Sequence, residues 1–214
     1  VYTNVCRQCI LLLGDQMKRN TIQLKENLIQ AGIDEIRQHG IDMLSLRTIA
    51  KSCGVTHGTP YRHFESKESY LKVVLSRLSV FLSDEINKGI ELETSAAEQL
   101  IQIGFNLIEF AKNYPYYFEA LFIKFPFKYM EVTEETISPD SDLPGFNTFK
   151  YIVLKLRKEE NFNNSEAESL LHFWSFISGL AIISNSPIGT DLDNETVLTT
   201  IRHMLDIYIK GEKL

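Results

Sequence analysis

Residues 45–68 read SLRTIAKSCGVTHGTPYRHFESKE, and this stretch limits the possible fold more than any other in the chain. Ser45 stands directly before Leu46, Ile49 and Ala50, and a serine hydroxyl there accepts from the free amides of a helix's first turn. Gly54 closes that helix after about two turns, where its tolerance of positive φ is useful. Val55 is the apolar turn residue, and Thr56 offers a second N-cap, opening a helix that runs to about His63. Two short helices joined by a tight glycine turn make a helix-turn-helix, whose second helix can enter a DNA major groove. Pro60 is compatible with this reading: with Thr56 as cap it falls at the fourth helical position and removes only the first intrahelical bond.

The flanks extend the pattern. From Leu24, the positions Leu28, Ala31 and Ile36 follow helical spacing, and that run ends at His39-Gly40. Ser66 caps a long fourth helix with Lys67 and Glu68 at its start and Leu71, Val74, Leu75, Leu78 and Leu82 as its buried face. Helical period continues to the C-terminus without a strand or hairpin signal, so the expected class is all-α: an N-terminal three-helix helix-turn-helix head and a C-terminal helical domain.

Charge divides along the same line. Met17 to Leu78 holds 10 Lys/Arg against 6 Asp/Glu, whereas Ser79 to Leu214 holds 11 against 21. A basic head on an acidic body suits a polyanion-binding module joined to one that repels polyanions. With 44% apolar and 23% charged residues in 214, disordered and fibrous classes are excluded. No apolar run approaches the ~20 residues that span a bilayer, so a cytoplasmic protein with no membrane partner is expected. Cys6, Cys9 and Cys53 cannot make a disulfide framework, and the lone Cys6-x-x-Cys9 pair is read as incidental. Residues 1–16 show no clean period and precede Met17-Lys-Arg-Asn-Thr, which resembles a natural start; they are read as a disordered upstream extension or a misplaced start, with no role in the fold. The expected domains are then residues 22–82, with the motif at 45–64, and residues 83–214.

The segment IAKSCGVTHGTPYRHFESKESYL, with Gly40 and Ser45 ahead of it, resembles the DNA-binding domain of the TetR family of bacterial transcriptional regulators. Gly58-Thr59-Pro60-Tyr61-Arg62 is similar to one branch, in which proline replaces a more common leucine. The resemblance implies that Thr56, His57, Gly58, Thr59, Tyr61, Arg62 and His63 lie at or near DNA. Thr56, Thr59 and Tyr61 carry hydroxyls suited to phosphate oxygens, and Gly58 permits close backbone approach. Arg62 is the best candidate for reading guanine O6 and N7, with His57 second, although a phosphate contact would serve Arg62 equally. Lys67 should pair with a phosphate beside the positive end of its helix, and Ser45 and Arg47 should reach the backbone from the other side. Phe64 reads as a core anchor; His63 suits packing and phosphate contact alike.

Residues 83–214 carry no phosphate-binding glycine loop, nucleophile elbow or zinc signature, so neither an enzyme nor a cofactor or metal site is expected. Of 23 aromatic residues, 13 fall between Phe105 and Tyr151. They suit a core stripe or, together, an apolar cavity, and the resemblance favours a small-molecule inducer site among Phe105, Phe110, Tyr114, Tyr117, Phe118, Phe122 and Trp174. Glu109, Glu119 and His172 are the titratable groups that a catalytic alternative would have to use. Pro115 should start a new helix, and EVTEETISPDSDLP, residues 131–144, reads as a flexible loop. Two long helices follow, Ser165 to about Ser184 and Asn194 to Lys210. The first is apolar on nearly every side, as a core or subunit-shared helix would be. HFWSFISGLA resembles a TetR branch whose tryptophan is followed four and five residues later by histidine and glycine; Trp174 and Gly179 match, while Ser178 stands in the histidine position. The resemblance implies a homodimer through the last two long helices, binding a double-stranded DNA operator and released by a small molecule.

Overall fold

The computed structural model describes residues 7–91, 93–124, 130–139, 143–186 and 192–212, with side chains from residue 20 onward. The fold is all-α apart from one small hairpin among the described residues. The described residues form two compact units, divided between Val74 and Leu75 within one continuous helix. Cys6 falls outside the described residues, as does the side chain of Cys9.

The first unit contains α1 (Arg7–His39), a 3-10 turn (Ile41–Met43), α2 (Leu46–Ser52), α3 (Thr59–Phe64) and the start of α4 (Lys67–Ile86). α1 begins well before the expected helix start, and its backbone takes in residues 7–16. That segment holds no proline, and its one glycine, Gly14, costs only about 1 kcal/mol in a helix. The core of the unit is built around Tyr70, which is fully buried. Its hydroxyl donates to the Leu28 carbonyl at 2.7 Å, and its ring meets Phe64 edge to face at 4.9 Å. Burial pushes the Tyr70 phenol well above its ordinary range. Gly32 of α1 makes room for it, since a Cβ there would collide with the Tyr70 hydroxyl. On the outer side, the Lys25 ammonium lies 5.5 Å from the centre of the Phe64 ring.

The second unit continues α4 and adds α5 (Ala96–Asn113), α6 (Pro115–Phe118), a π turn (Glu119–Lys124), β1 (Met130–Val132), β2 (Ile137–Pro139), α7 (Pro144–Glu160), α8 (Glu166–Ser184) and α9 (Asn194–Gly211). α5 packs against α7, α8 and α9, burying Leu100, Ile103, Leu107, Ile108 and Phe110. Each of the helices α5, α8 and α9 has a side-chain cap: Ser95 accepts from Glu98 N–H at 3.2 Å, Ser165 from Glu168 N–H at 3.1 Å and Asp193 from Thr196 N–H at 2.8 Å. Glu168 returns a bond to Ser165 N–H at 2.7 Å, completing a capping box. That backbone bond holds the Glu168 carboxyl below the usual carboxylate range, and the Thr196 N–H does the same for Asp193. α8 is long and apolar enough to cross a bilayer by composition, yet it buries Ala167, Leu170, Phe173 and Ala181 within the unit.

The hairpin corrects the expectation of a flexible loop over residues 131–144 and of a chain without strands. β1 and β2 pair antiparallel, Glu131 opposite Ser138, around a turn in which Thr136 N–H donates to Thr133 Oγ1 at 3.0 Å. What holds it is remote in sequence: Lys150 Nζ of α7 donates to the Ile137 carbonyl at 2.8 Å and pairs with Glu166 at 2.7 Å, and Glu166 also accepts from Thr136 Oγ1. Burial pushes the Glu166 carboxyl up, but the hydrogen bonds from Lys150 and Thr136, with the Lys150 charge, hold it below its ordinary value.

Candidate nucleic-acid interface and apolar cavity

Ser45 is extended, at φ −132° and ψ 139°, and accepts from Thr48 N–H at 3.1 Å, so the predicted cap starts α2. Gly54 sits at φ +67° in the turn after α2, a conformation strained for other residues. The start of α3 differs from expectation. Thr56 does not cap it; its hydroxyl meets that of Thr59 at 3.0 Å, Thr59 N–H donates to the Thr56 carbonyl at 2.9 Å, and the helix begins at Thr59 with Gly58 at the N-cap position. Pro60 is therefore the second helical residue rather than the fourth. The first amides of a helix have no intrahelical acceptor, so proline there removes no helical hydrogen bond. Its ring is buried, which anchors α3 to the core beside Phe64.

These choices decide what is presented outward. Thr56, His57 and Gly58 occupy an exposed turn; Tyr61 and Arg62 project from α3, while Thr59 and His63 are half-buried. The His63 ring lies 6.2 Å from Phe64, at the edge of the core. Ser66 accepts from Ser69 N–H at 3.0 Å and leaves Lys67 exposed at the N-terminal end of α4. On α2, Arg47, Thr48 and Lys51 border one shallow depression with His57. Thr48 and Lys51 were not singled out in the sequence; the readable signal was the position of Lys51, four residues after Arg47 and three after Thr48, which makes it a helix-surface neighbour of both. The surface thus gathers hydroxyls, a guanidinium, ammonium groups and a helix N-terminus, the groups that contact phosphates, around a short helix whose side chains can reach base edges.

The second unit encloses a cavity of about 90 Å³ between α4, α5, the π turn, β1, α7, α8 and α9. Of the aromatic residues predicted to bind ligand, Phe122 and Trp174 line it, stacked at 4.9 Å. Phe118 lies against Phe122 at 4.9 Å without being part of the wall. Phe110, Tyr114 and Tyr117 instead surround Phe81, with centroids 6.1, 5.0 and 6.0 Å from it, and Phe105 stands half-buried on α5 away from the wall. Among the described residues Phe146, Phe149, Phe173 and Phe176 supply the rest of the aromatic lining, and none of them was singled out in the sequence. Glu109, Glu119 and His172 are engaged elsewhere, with Lys112 at 3.1 Å, Lys124 at 3.7 Å and the Tyr208 hydroxyl at 3.1 Å; none lines the cavity.

The helix-turn-helix head with its polar outward face is the arrangement of a DNA-binding module, here joined to a helical unit that holds a cavity. The sequence pattern described as "Bacterial regulatory proteins, tetR family" matches residues 28–73, so the head carries the DNA-binding pattern of that family. It is 31% identical over 78 residues to the nucleoid occlusion factor SlmA of Haemophilus ducreyi, an alignment covering 36% of this chain and 39% of that one. A protein of Escherichia coli K12 named "Probable acrEF/envCD operon repressor" is 33% identical over 55 residues, 26% of this chain and 25% of its own. The chain thus spans about two-fifths or less of the length of these curated relatives. The fold reaches further: the transcriptional regulator FadR of Bacillus subtilis, solved with stearoyl-CoA, superposes with a TM-score of 0.59 at 14% identity, covering 84% of this chain and 96% of that one.

Proposed function

We propose that this protein is a ligand-responsive transcriptional repressor that binds a palindromic operator as a homodimer and leaves it when a small molecule occupies the second unit. The observation that carries the reading is the outward face of α3 and its preceding turn, where Thr56, His57, Tyr61 and Arg62 stand exposed above a core fixed by Phe64 and Tyr70. Arg62 is read as the base contact, and Lys67, Thr56, Thr59, Tyr61, Ser45 and Arg47 as phosphate contacts. Two heads about 34–36 Å apart would occupy successive major grooves on one face of a duplex.

Dimerisation is assigned to α8 and α9. α8 exposes Ile182 and Ile183, and α9 leaves Ile207 71% exposed. A Cβ on Gly179 would meet nothing within 4 Å, which leaves the backbone of α8 open to close approach by another helix. Ser178, where the resembling branch has histidine, is buried with no partner for its hydroxyl among the described residues. Effector binding shifts the balance between DNA-competent and DNA-incompetent states only by its difference in affinity for the two. Retention of the DNA flanking the protein's own gene in a gel-shift assay, falling steeply with salt, is the expected result. No retention at low salt would overturn the reading.

A further inference from the structure

We propose that the cavity takes a small, uncharged, apolar molecule about the size of one aromatic ring, an assignment that rests on reading the second unit as the sensing half. Among the described residues no ionisable side chain lines the cavity, and Ser79 supplies the lone hydroxyl of the wall. Leu100, Leu107 and Ile177 supply aliphatic surface, and Phe122 stacked on Trp174 supplies an aromatic wall. A carboxylate or ammonium moved into such surroundings loses its hydration and finds no counter-charge, a penalty of several kcal/mol at least.

Size narrows the class further. The space, about 90 Å³, is below the ~150 Å³ of an apolar cavity known to hold benzene and far below the ~300–1,000 Å³ of sites for drug-sized ligands. Met130 and Met204 in the wall are unbranched and can change rotamer at little cost, so one ring can be admitted while a multi-ring or long-chain molecule needs a different wall. An apolar space of this kind stays dry, so the ligand displaces no ordered water. The neutral molecule therefore gains the full transfer term and the ion does not.

Trp174 is the chain's one tryptophan and forms part of the wall, which makes it a built-in reporter. Bromobenzene quenches indole fluorescence on contact, and 4-bromobenzoate and 4-bromobenzylammonium match it in shape while carrying a charge. In the full chain, bromobenzene should quench Trp174 saturably, with the two ions at least 100-fold weaker, as an unpaired buried charge demands. Leu107→Phe, which adds volume to the wall, should weaken bromobenzene at least tenfold while far-UV circular dichroism stays helical. Saturable quenching by either ion at comparable concentration would overturn the proposal. So would bromobenzene quenching that rises linearly without saturating, a result readable on the wild-type chain alone. Anisotropy of labelled operator DNA, measured alongside, separates the two readings: saturation of Trp174 with DNA still bound would uphold the ligand class and sink the release mechanism.

Discussion

Replacing Gly32 by alanine should destabilise the head, against the sign that helix propensity gives. In an open helix the change is worth about 1 kcal/mol in favour of alanine. Here the new Cβ would stand 2.9 Å from Tyr70 Cζ and 3.2 Å from Val74 Cγ2, and closer still to the Tyr70 hydroxyl. Tyr70 has nowhere to swing: it is fully buried, edge-on to Phe64, and tied to the Leu28 carbonyl at 2.7 Å. Overpacking a core of this kind costs about 1–3 kcal/mol. Losing the tyrosine bond adds about 1–2 kcal/mol, because the phenol remains buried without its acceptor. Set against the propensity gain, the net loss is about 1–4 kcal/mol. Hydrogen exchange of the amides of residues 28–36 reads the head by itself, and that loss corresponds to exchange faster on the order of 5–900-fold. Tyr70→Phe should cost about 1 kcal/mol alone and make the second change, Gly32→Ala, less costly, since it removes the atom in closest conflict. Slower exchange in Gly32→Ala than in the wild type would refute the packing argument.

Three further outcomes are expected. Arg62→Ala should relax preference at one base pair by about 1–3 kcal/mol, while Lys67→Ala should weaken all sequences alike and reduce the salt slope by about 1; operator selection and salt titration distinguish them. Ile183→Glu with Ile207→Glu should lower the sedimentation coefficient from dimer to monomer while leaving helix content unchanged, because both residues are exposed in the single chain. Ser165→Ala should cost about 1 kcal/mol through loss of the α8 cap. The carboxylates of Glu168 and Asp193 titrate below their ordinary values when folded, so their stabilising effect is complete above the unfolded values and fades as pH falls through the folded ones. Glu168→Gln should flatten the acid-side loss of stability measured by urea denaturation between pH 5 and about pH 3.

The head was legible because its determinants are local. Ser45 and Ser66 each accept from the amide three residues on, so the residue and its partner are read together in the sequence. Gly54 marks its own turn by its φ of +67°. The one error in the motif, a start of α3 at Thr56, arose where a threonine hydroxyl bonds a second hydroxyl, that of Thr59, instead of a helix amide. The choice between those partners is invisible in composition, although the proline itself already argued for an early position. The hairpin could not be read from residues 131–144, because its anchors, Lys150 and Glu166, lie on two later helices.

The cavity was legible only in part, for a different reason. Aromatic density pointed to residues 105–151, but density does not say which way a ring faces. From Glu119 the backbone turns with π geometry, whose bonds run from i to i+5, so a 3.6-residue period carried through Pro115–Lys124 loses its phase. Tyr117, before the change, packs toward Phe81; Phe122, after it, faces Trp174. The remaining walls come from apolar faces of α5, α7 and α8, which follow the same spacing whether they meet another side chain or an empty space. A sequence encodes a filled core and a ligand cavity with the same periodic apolar residues, and the difference lies in how the rotations of several helices sum at one point.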